Sequence, residues 1–185
     1  LQSIGENQKA NEMQQLFRQK IGITDKSMNY LDQIKANSGR YQIENAGINS
    51  QYSDYGTAKY GNKIVFATAR DTGSLSHRIH SWNNQYFTNL YTSELAEDAT
   101  LSKPEPFDDA VKSRFHEATP VFTKDGKTMY FSRNNFLKGK KGKSQDKTTL
   151  LKIYRAYAVD GLWTNVTELP FNSDQFSTAH PALSP

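Results

Sequence analysis

One segment, residues 117–134, carries the strongest structural signal in the sequence. It reads Glu-Ala-Thr-Pro-Val-Phe-Thr-Lys-Asp-Gly-Lys-Thr-Met-Tyr-Phe-Ser-Arg-Asn. Runs rich in β-branched and aromatic residues lie on both sides of Asp125 and Gly126. Because aspartate favours turns and glycine reaches positive φ without steric cost, this pattern predicts a β-hairpin whose structural turn is Asp125-Gly126.

An earlier stretch has the same plan. Residues 56–70 contain a short strand, a predicted structural turn at Gly61 and a stronger strand, and Phe66 corresponds to Phe131, 65 residues later. Internal similarity at a near-constant period is typical of a repeat protein. Three further landmarks recur at spacings of 61 to 64 residues, and these are Leu90-Tyr91 with Ile153-Tyr154, Pro106-Phe107 with Pro170-Phe171, and Ala118 with Ala179.

Each period contains four predicted strands. Four short antiparallel strands per period are typical of a β-propeller blade, which buries its faces by stacking on neighbouring blades. The predicted strands are 56–60, 63–69, 88–95 and 103–107 in the first unit, and 118–123, 127–133, 150–158 and 163–169 in the second. A β-sandwich made of two similar halves is the rival interpretation.

The predicted fold class is therefore mainly β, with a short helical hairpin before the strands. We expect a helical lead over 1–38 and an incomplete propeller over 39–185. Blade one covers about 50–112, blade two about 113–176, and the first strand of a third blade 177–185.

The lead is predicted to form two short helices between residues 8 and 36. Apolar residues recur at helical spacing in both, at Met13, Leu16, Phe17 and Ile21 in the first helix and at Met28, Leu31 and Ile34 in the second. The lead is interpreted either as the last unit of an α-solenoid or as a helical hairpin that packs on the β-part.

The composition limits the chemistry. Hydrophobic residues make up 36% of the chain and aromatic residues 12%, which suits a β-rich fold. The absence of cysteine excludes disulfides, thiolate zinc sites and a cysteine nucleophile. A net charge of +4 is a mild excess and does not indicate nucleic-acid binding.

The sequence contains no catalytic motif. It has no Gly-x-Ser-x-Gly elbow and no phosphate-binding loop. His77 and His80 lie three apart without a third ligand, and Asp108-Asp109 is interpreted as a solvated turn. The chain is thus predicted to be no enzyme and to hold no metal or cofactor.

Two long connections are the best candidates for a partner-binding site. They span 70–87 and 134–149, and both join the second strand of a unit to the third. Connections longer than about 12–15 residues are usually functional or disordered, so we expect either a binding face or flexible insertions. The candidate partner-binding residues are Arg78, His80, Trp82, Tyr86, Phe87, Lys138, Lys140, Lys141 and Lys143.

The repeat resembles the WD40-like blade of TolB-type β-propellers. That blade opens with a His-Pro-x-hydrophobic-Ser-Pro-Asp-Gly-Lys run, which His180 to Pro185 begins and Thr119 to Ser132 parallels, and its third strand ends as Lys152-Ile153-Tyr154 does. The chain stops where the next Asp-Gly would follow, so we expect a fragment of a longer protein.

The wider arrangement resembles OmpA-family envelope proteins of Bacteroidota, in which tetratricopeptide repeats precede the propeller. The resemblance implies a non-enzymatic scaffold in the periplasm, associated with the outer membrane and with a barrel protein of a type IX secretion or gliding assembly. Peptidoglycan binding would belong to an OmpA-like domain that this sequence does not contain. The alternative is the non-catalytic propeller of a prolyl-oligopeptidase-type hydrolase.

Overall fold

The structure is a computed structural model that describes residues 7–22, 34–39, 44–70 and 79–184. The chain divides into two compact units, Leu1–Glu44 and Asn45–Pro185. None of the helices in the described ranges is long and apolar enough to cross a membrane.

The first unit contains helix α1, Asn7–Ile21, and helical residues at 34–37. Gly22 ends α1 with a φ of +69°, a conformation that only glycine adopts without cost, and its N–H donates to the Gln19 carbonyl at 3.4 Å. Of the second predicted helix, Met28 and Leu31 lie outside the described residues.

The second unit is built from short strands. In chain order these are β1 (Asp54–Tyr60), β2 (Lys63–Thr68), β3 (Ile79–His80), β4 (Gln85–Tyr86), β5 (Asn89–Glu94), β6 (Glu105–Pro106), β7 (Glu117–Phe122), β8 (Thr128–Asn134), β9 (Phe136–Leu137), β10 (Lys140–Lys141), β11 (Leu151–Val159) and β12 (Leu162–Glu168). A 3₁₀ turn, Asp109–Val111, lies between β6 and β7.

The strands form two antiparallel four-stranded sheets, in the orders β1-β2-β5-β6 and β7-β8-β11-β12. The prediction of a mainly β chain is confirmed, and the strands of both sheets begin and end close to the predicted positions. Both sheets are open, and the described residues do not close a propeller.

The long connections differ from the prediction. Each contains a two-stranded hairpin, β3-β4 in the first and β9-β10 in the second, where no strand was expected. Strands of two residues are too short to produce a hydrophobic period, so the sequence carries no signal for them. Within the first connection, residues 71–78 lie outside the described ranges.

The two four-stranded sheets carry the same irregularity in their first strands, β1 and β7. The pairing register shifts between Tyr55 and Ala58 in β1 and between Ala118 and Val121 in β7. Gly56 has a φ of +65° and Thr119 a φ of +47° at these bulges. A Cβ on Gly56 would lie 3.0 Å from the Thr119 methyl group, so the two strands approach closely at this point.

The predicted first strand of a third blade is not formed, because residues 177–184 have no partner strand among the described residues. This segment is nevertheless bonded to the second sheet. The Thr178 N–H donates to the Leu151 carbonyl and the His180 N–H to Ser132 Oγ, both at 2.9 Å. His180 has a φ of +57°.

The core lies between the two sheets. Val65, Met129, Phe131 and Tyr154 are fully buried there. Four aromatic rings join the sheets beside this centre, and they are Tyr60 and Phe107 from the first sheet and Phe122 and Trp163 from the second. Tyr60 stacks on Phe122 with ring centroids 4.6 Å apart.

Candidate binding site

The structure brings several predicted site residues together in a row of rings, which we call the aromatic row. His80 lies 6.4 Å from Trp82 and 4.9 Å from His116, measured between ring centroids. Phe87 is 4.6 Å from His116 and 5.9 Å from Phe115. Phe136 completes the row, 5.1 Å from Phe115.

The aromatic row connects the two hairpins. Trp82 and His80 belong to the β3-β4 hairpin, whereas Phe136 begins β9. Lys141 of β10 places its ammonium 5.0 Å from the centre of the Phe115 ring, and the Arg114 guanidinium lies 5.9 Å from that of Phe136. Equivalent insertions of the two units therefore meet on one surface.

The remaining predicted site residues are distributed around this row. Lys138, Lys140, Lys141 and Lys143 are all exposed. Tyr86 packs against Tyr52 at 5.8 Å, away from the row. Arg78 lies outside the described residues, as does His77.

A pocket of about 340 Å³ opens beside the aromatic row. Repeat-equivalent residues contribute to it, since Tyr55, Ala118 and Ala179 each immediately precede a positive-φ residue of their unit. Its lining within the described ranges contains no lysine, arginine, aspartate or glutamate. These lining residues are Ser53, Tyr55, His80, Trp82, Asn83, Thr88, His116, Ala118, Ser132, Leu151, Ala179 and His180.

His116 is held as a neutral ring. Its Nδ1 accepts the Thr88 backbone N–H at 3.1 Å, so the ring proton is on Nε2. Burial, and in addition the nearby His80, lower the pKa of His116 to about 4. His116 is therefore an uncharged hydrogen-bond donor at neutral pH.

His80 has the opposite polarity. Its Nδ1 lies 3.3 Å from Asn83 Oδ1, an amide oxygen that also accepts the Gln85 N–H. Because an amide oxygen only accepts, His80 Nδ1 is the donor, which leaves Nε2 as an acceptor when the ring is neutral. Three histidines line the pocket, but no three His, Asp or Glu side chains of the described ranges are arranged to hold a metal ion.

Sequence reasoning missed a repeated ion pair behind the site. Arg70 Nη2 is 3.1 Å from Asp54 Oδ1, and Arg133 Nε is 3.0 Å from Glu117 Oε1. Asp54 and Glu117 begin strands β1 and β7, and Arg70 and Arg133 lie within two residues of the last residue of β2 and of β8, respectively. The signal that could have found it is the 63-residue spacing of both the acids and the arginines.

The rings around these arginines are repeated too. The Arg70 guanidinium lies 5.5 Å from the centroids of Phe66 and Tyr91. That of Arg133 lies over the Phe131 and Tyr154 rings. A guanidinium between two aromatic rings is stabilised by cation–π attraction in both units.

The pKa values of Glu117 and Asp54 are nevertheless shifted in opposite directions. Burial raises the pKa of Glu117 to about 7 despite Arg133, and its buried Oε2 has no hydrogen-bond partner among the described residues. Burial also acts to raise the pKa of Asp54, but hydrogen bonds from Thr68, Ser50 and Arg70 outweigh it, and the net pKa is lowered. The difference follows from burial and from the number of donors at each carboxyl.

Comparison of the chain with protein-family models, with curated proteins and with solved structures found no match.

Proposed function

We propose that this chain is a non-catalytic protein-binding module built from consecutive β-propeller blades, with the two inserted hairpins as its contact face. The observation that carries the proposal is the aromatic row, which joins the β3-β4 and β9-β10 hairpins into one surface. A face assembled from equivalent insertions of two repeats is typical of repeat proteins, which bind partners over extended surfaces.

The repeated geometry supports the blade interpretation. The Glu117 N–H donates to the Thr88 carbonyl at 2.9 Å, and the Thr178 N–H repeats this bond to the Leu151 carbonyl at the same length. Gly56, Thr119 and His180 all have positive φ at corresponding positions. Residues 177–184 thus contact the second sheet in the same way that the start of β7 contacts the first sheet. A propeller has four or more blades, so the proposal requires further repeats of this kind.

The chemistry of the contact face favours a protein partner. Trp82 is 86% exposed and Ile79 is 53% exposed, on a hairpin whose rings are otherwise packed. Exposed aromatic anchors beside cations are typical of protein interfaces. Lys138, Lys140 and Lys141 supply a basic rim, so the complementary surface is apolar with acidic neighbours.

The resemblance to OmpA-family envelope proteins supplies the setting of the proposal. It favours a periplasmic scaffold at the outer membrane, with a barrel protein of a secretion or gliding assembly as the partner. An acidic periplasmic loop on the barrel would meet the basic rim described above.

Charge reversal on the face tests the proposal. The immobilised chain is incubated with detergent-solubilised outer membranes, and we expect it to retain a barrel protein. The variant K140E/K141E should lose that protein. The variant K59E/K124E is the matched control, because both lysines are exposed and lie at the Gly61 and Gly126 turn ends of β1 and β7. Equal retention by both variants, or by neither, contradicts the proposed face.

A further inference from the structure

We propose that the pocket beside the aromatic row binds a neutral saccharide. This site is distinct from the proposed protein-contact face in its ligand, although Trp82 borders both. Its lining residues come from both sheets and from the β3-β4 hairpin, so the pocket exists only in the folded β-unit.

The charge of the described lining favours a neutral ligand. Among the residues that the structure describes, no lysine or arginine lines the pocket to pair with an anion, and no carboxylate lines it to pair with a cation. His116 does not become a cation at neutral pH, because its pKa is lowered to about 4. Its Nδ1 lone pair is engaged by the Thr88 N–H, and its Nε2 carries the proton, so neither nitrogen is free to ligate a metal.

The two facing histidines fit a hydroxyl group. His116 Nε2 can donate a hydrogen bond to a ligand and Nε2 of the neutral His80 ring can accept one, and the two rings are 4.9 Å apart in a T-shaped arrangement. A hydroxyl is both donor and acceptor, so one sugar hydroxyl, or two adjacent ones, satisfies both rings at once. Neutral groups that only accept, such as an ester carbonyl, leave the His80 Nε2 acceptor without a partner.

Aromatic rings at the mouth fit the apolar face of a sugar ring. Trp82 is 86% exposed and Tyr55 is 42% exposed, and both line the pocket. Tyr and Trp combine a broad apolar face with a polar group that reaches water. The C–H groups of one face of a pyranose pack on such rings while its hydroxyls stay hydrogen-bonded.

The volume of the pocket results from small residues at one position of the repeat. Tyr55, Ala118 and Ala179 hold one position of the repeat and line the pocket together. The two alanines leave room that a second and third tyrosine would fill. A volume of about 340 Å³ lies at the lower end of the range for small-molecule sites, about 300–1,000 Å³.

The probes are neutral disaccharides, namely maltose, cellobiose and N,N′-diacetylchitobiose, measured on the full chain by saturation-transfer NMR and by tryptophan fluorescence. Trp82 reports binding because the second tryptophan, Trp163, is buried in the core. We expect at least one of the three to bind with a Kd of about 1 mM or below, as suits a pocket with few polar contacts. Glucose 6-phosphate and glucosamine should bind no more tightly than glucose.

Two variants test the assigned contacts by NMR. Trp82→Ala removes the ring at the mouth, and His116→Asn keeps an acceptor for the Thr88 N–H while removing the donor in the pocket. Each should weaken binding about tenfold or more. Leu162→Ala is the control, since Leu162 is 65% exposed and lies outside the pocket lining, and it should leave Kd within about twofold.

Several outcomes overturn the proposal. They are the absence of binding by all three disaccharides, unchanged affinity in both pocket variants, and displacement of a bound sugar by a proline-rich peptide that binds more tightly. Failure here is distinguishable from failure of the proposed protein-contact face, because K140E/K141E should leave sugar binding unchanged.

Discussion

Replacing Arg133 with methionine tests how the buried ion pair stabilises the β-unit. The Arg133 and Glu117 side chains are 5% and 1% exposed, and their Nε and Oε1 atoms are 3.0 Å apart. Methionine keeps an unbranched apolar chain but removes the charge. Because the charge of Glu117 depends on pH, we expect the cost of Arg133→Met to depend on pH as well.

One part of the cost does not depend on pH. The Arg133 guanidinium lies 4.9 Å from the centroid of Phe131 and 5.3 Å from that of Tyr154, and Nη2 donates to the Val111 carbonyl. A desolvated cation–π contact and a charged hydrogen bond contribute about 2 kcal/mol each. Methionine recovers part of this by packing on the same rings, so we expect a loss of about 2 kcal/mol at pH 5.

The other part comes from the ionisation of Glu117. Its pKa is raised from 4.5 to about 7 by burial. A carboxyl whose folded pKa is raised contributes stability that is complete below the unfolded pKa and is lost as the pH rises through the folded one. Without Arg133 the pKa of Glu117 rises further, so in the variant this buried carboxyl keeps its proton at pH 8. Because pH 8 lies above the wild-type pKa of about 7, Arg133 contributes about 1.4 kcal/mol more at pH 8 than at pH 5, and we expect a total loss of about 3.5 kcal/mol at pH 8.

Urea unfolding of the full chain at pH 5 and pH 8, followed by circular dichroism, measures both losses. The double variant Glu117→Gln/Arg133→Met is the control, because without a carboxyl at position 117 its own free energy of unfolding should lack the decline between pH 5 and pH 8 that the wild-type chain and the single variant both show. If the single variant loses the same free energy at both pH values within about 0.5 kcal/mol, Glu117 is not ionised in the folded chain as described.

Three further predictions concern the repeat. Gly56→Ala should lower the free energy of unfolding by about 3 kcal/mol and Gly61→Ala by about 1 kcal/mol. Both glycines have positive φ, but only a Cβ at position 56 would lie 3.0 Å from the neighbouring strand. Equal losses of the two variants in urea unfolding contradict this prediction. Phe107→Ala should cost about 2 kcal/mol and Phe171→Ala under about 0.5 kcal/mol, since Phe107 packs in the aromatic core and Phe171 is 58% exposed; thermal unfolding compares the two. Asp54→Asn should flatten the loss of stability on acidification below about pH 4, where a carboxyl of lowered pKa ceases to stabilise; an unchanged acid-unfolding midpoint argues against it.

The repeat and its main strands were predictable from the sequence because they rest on local patterns. Alternating β-formers flank Gly61 and Gly126, and these glycines have φ values of +60° and +67° in the structure. The second sheet was predicted most closely, with β11 and β12 each within one residue of the expected range. Whether a strand forms depends largely on residues that are neighbours in the sequence, so the sequence alone predicts it.

The candidate site was predictable only in part. His80, Trp82 and the lysines stand out by residue type and by the length of their connections. No sequence pattern indicates a role for His116, however, because that role depends on Thr88, 28 residues away. A pocket formed from three units of a repeat is visible only after the register of those units is known. The bulges that set this register at Gly56 and Thr119 have no local signature.

The repeated ion pair contributes to the way in which the stability of the β-unit depends on pH. In the first unit the lowered pKa of Asp54 contributes stability above about pH 4, and this contribution persists as the pH rises. In the second unit the raised pKa of Glu117 contributes stability that declines between about pH 4.5 and pH 7. Asp54 thus stabilises the β-unit against acid, whereas the contribution of Glu117 to stability is lost as the pH rises. The lowered pKa of His116 adds a contribution of the opposite sign to that of Glu117, since it is complete above about pH 6.5 and is lost as the pH falls towards 4. These two contributions largely offset each other between about pH 4.5 and pH 6.5, so the β-unit should be most stable within that range and should weaken on acidification below about pH 4.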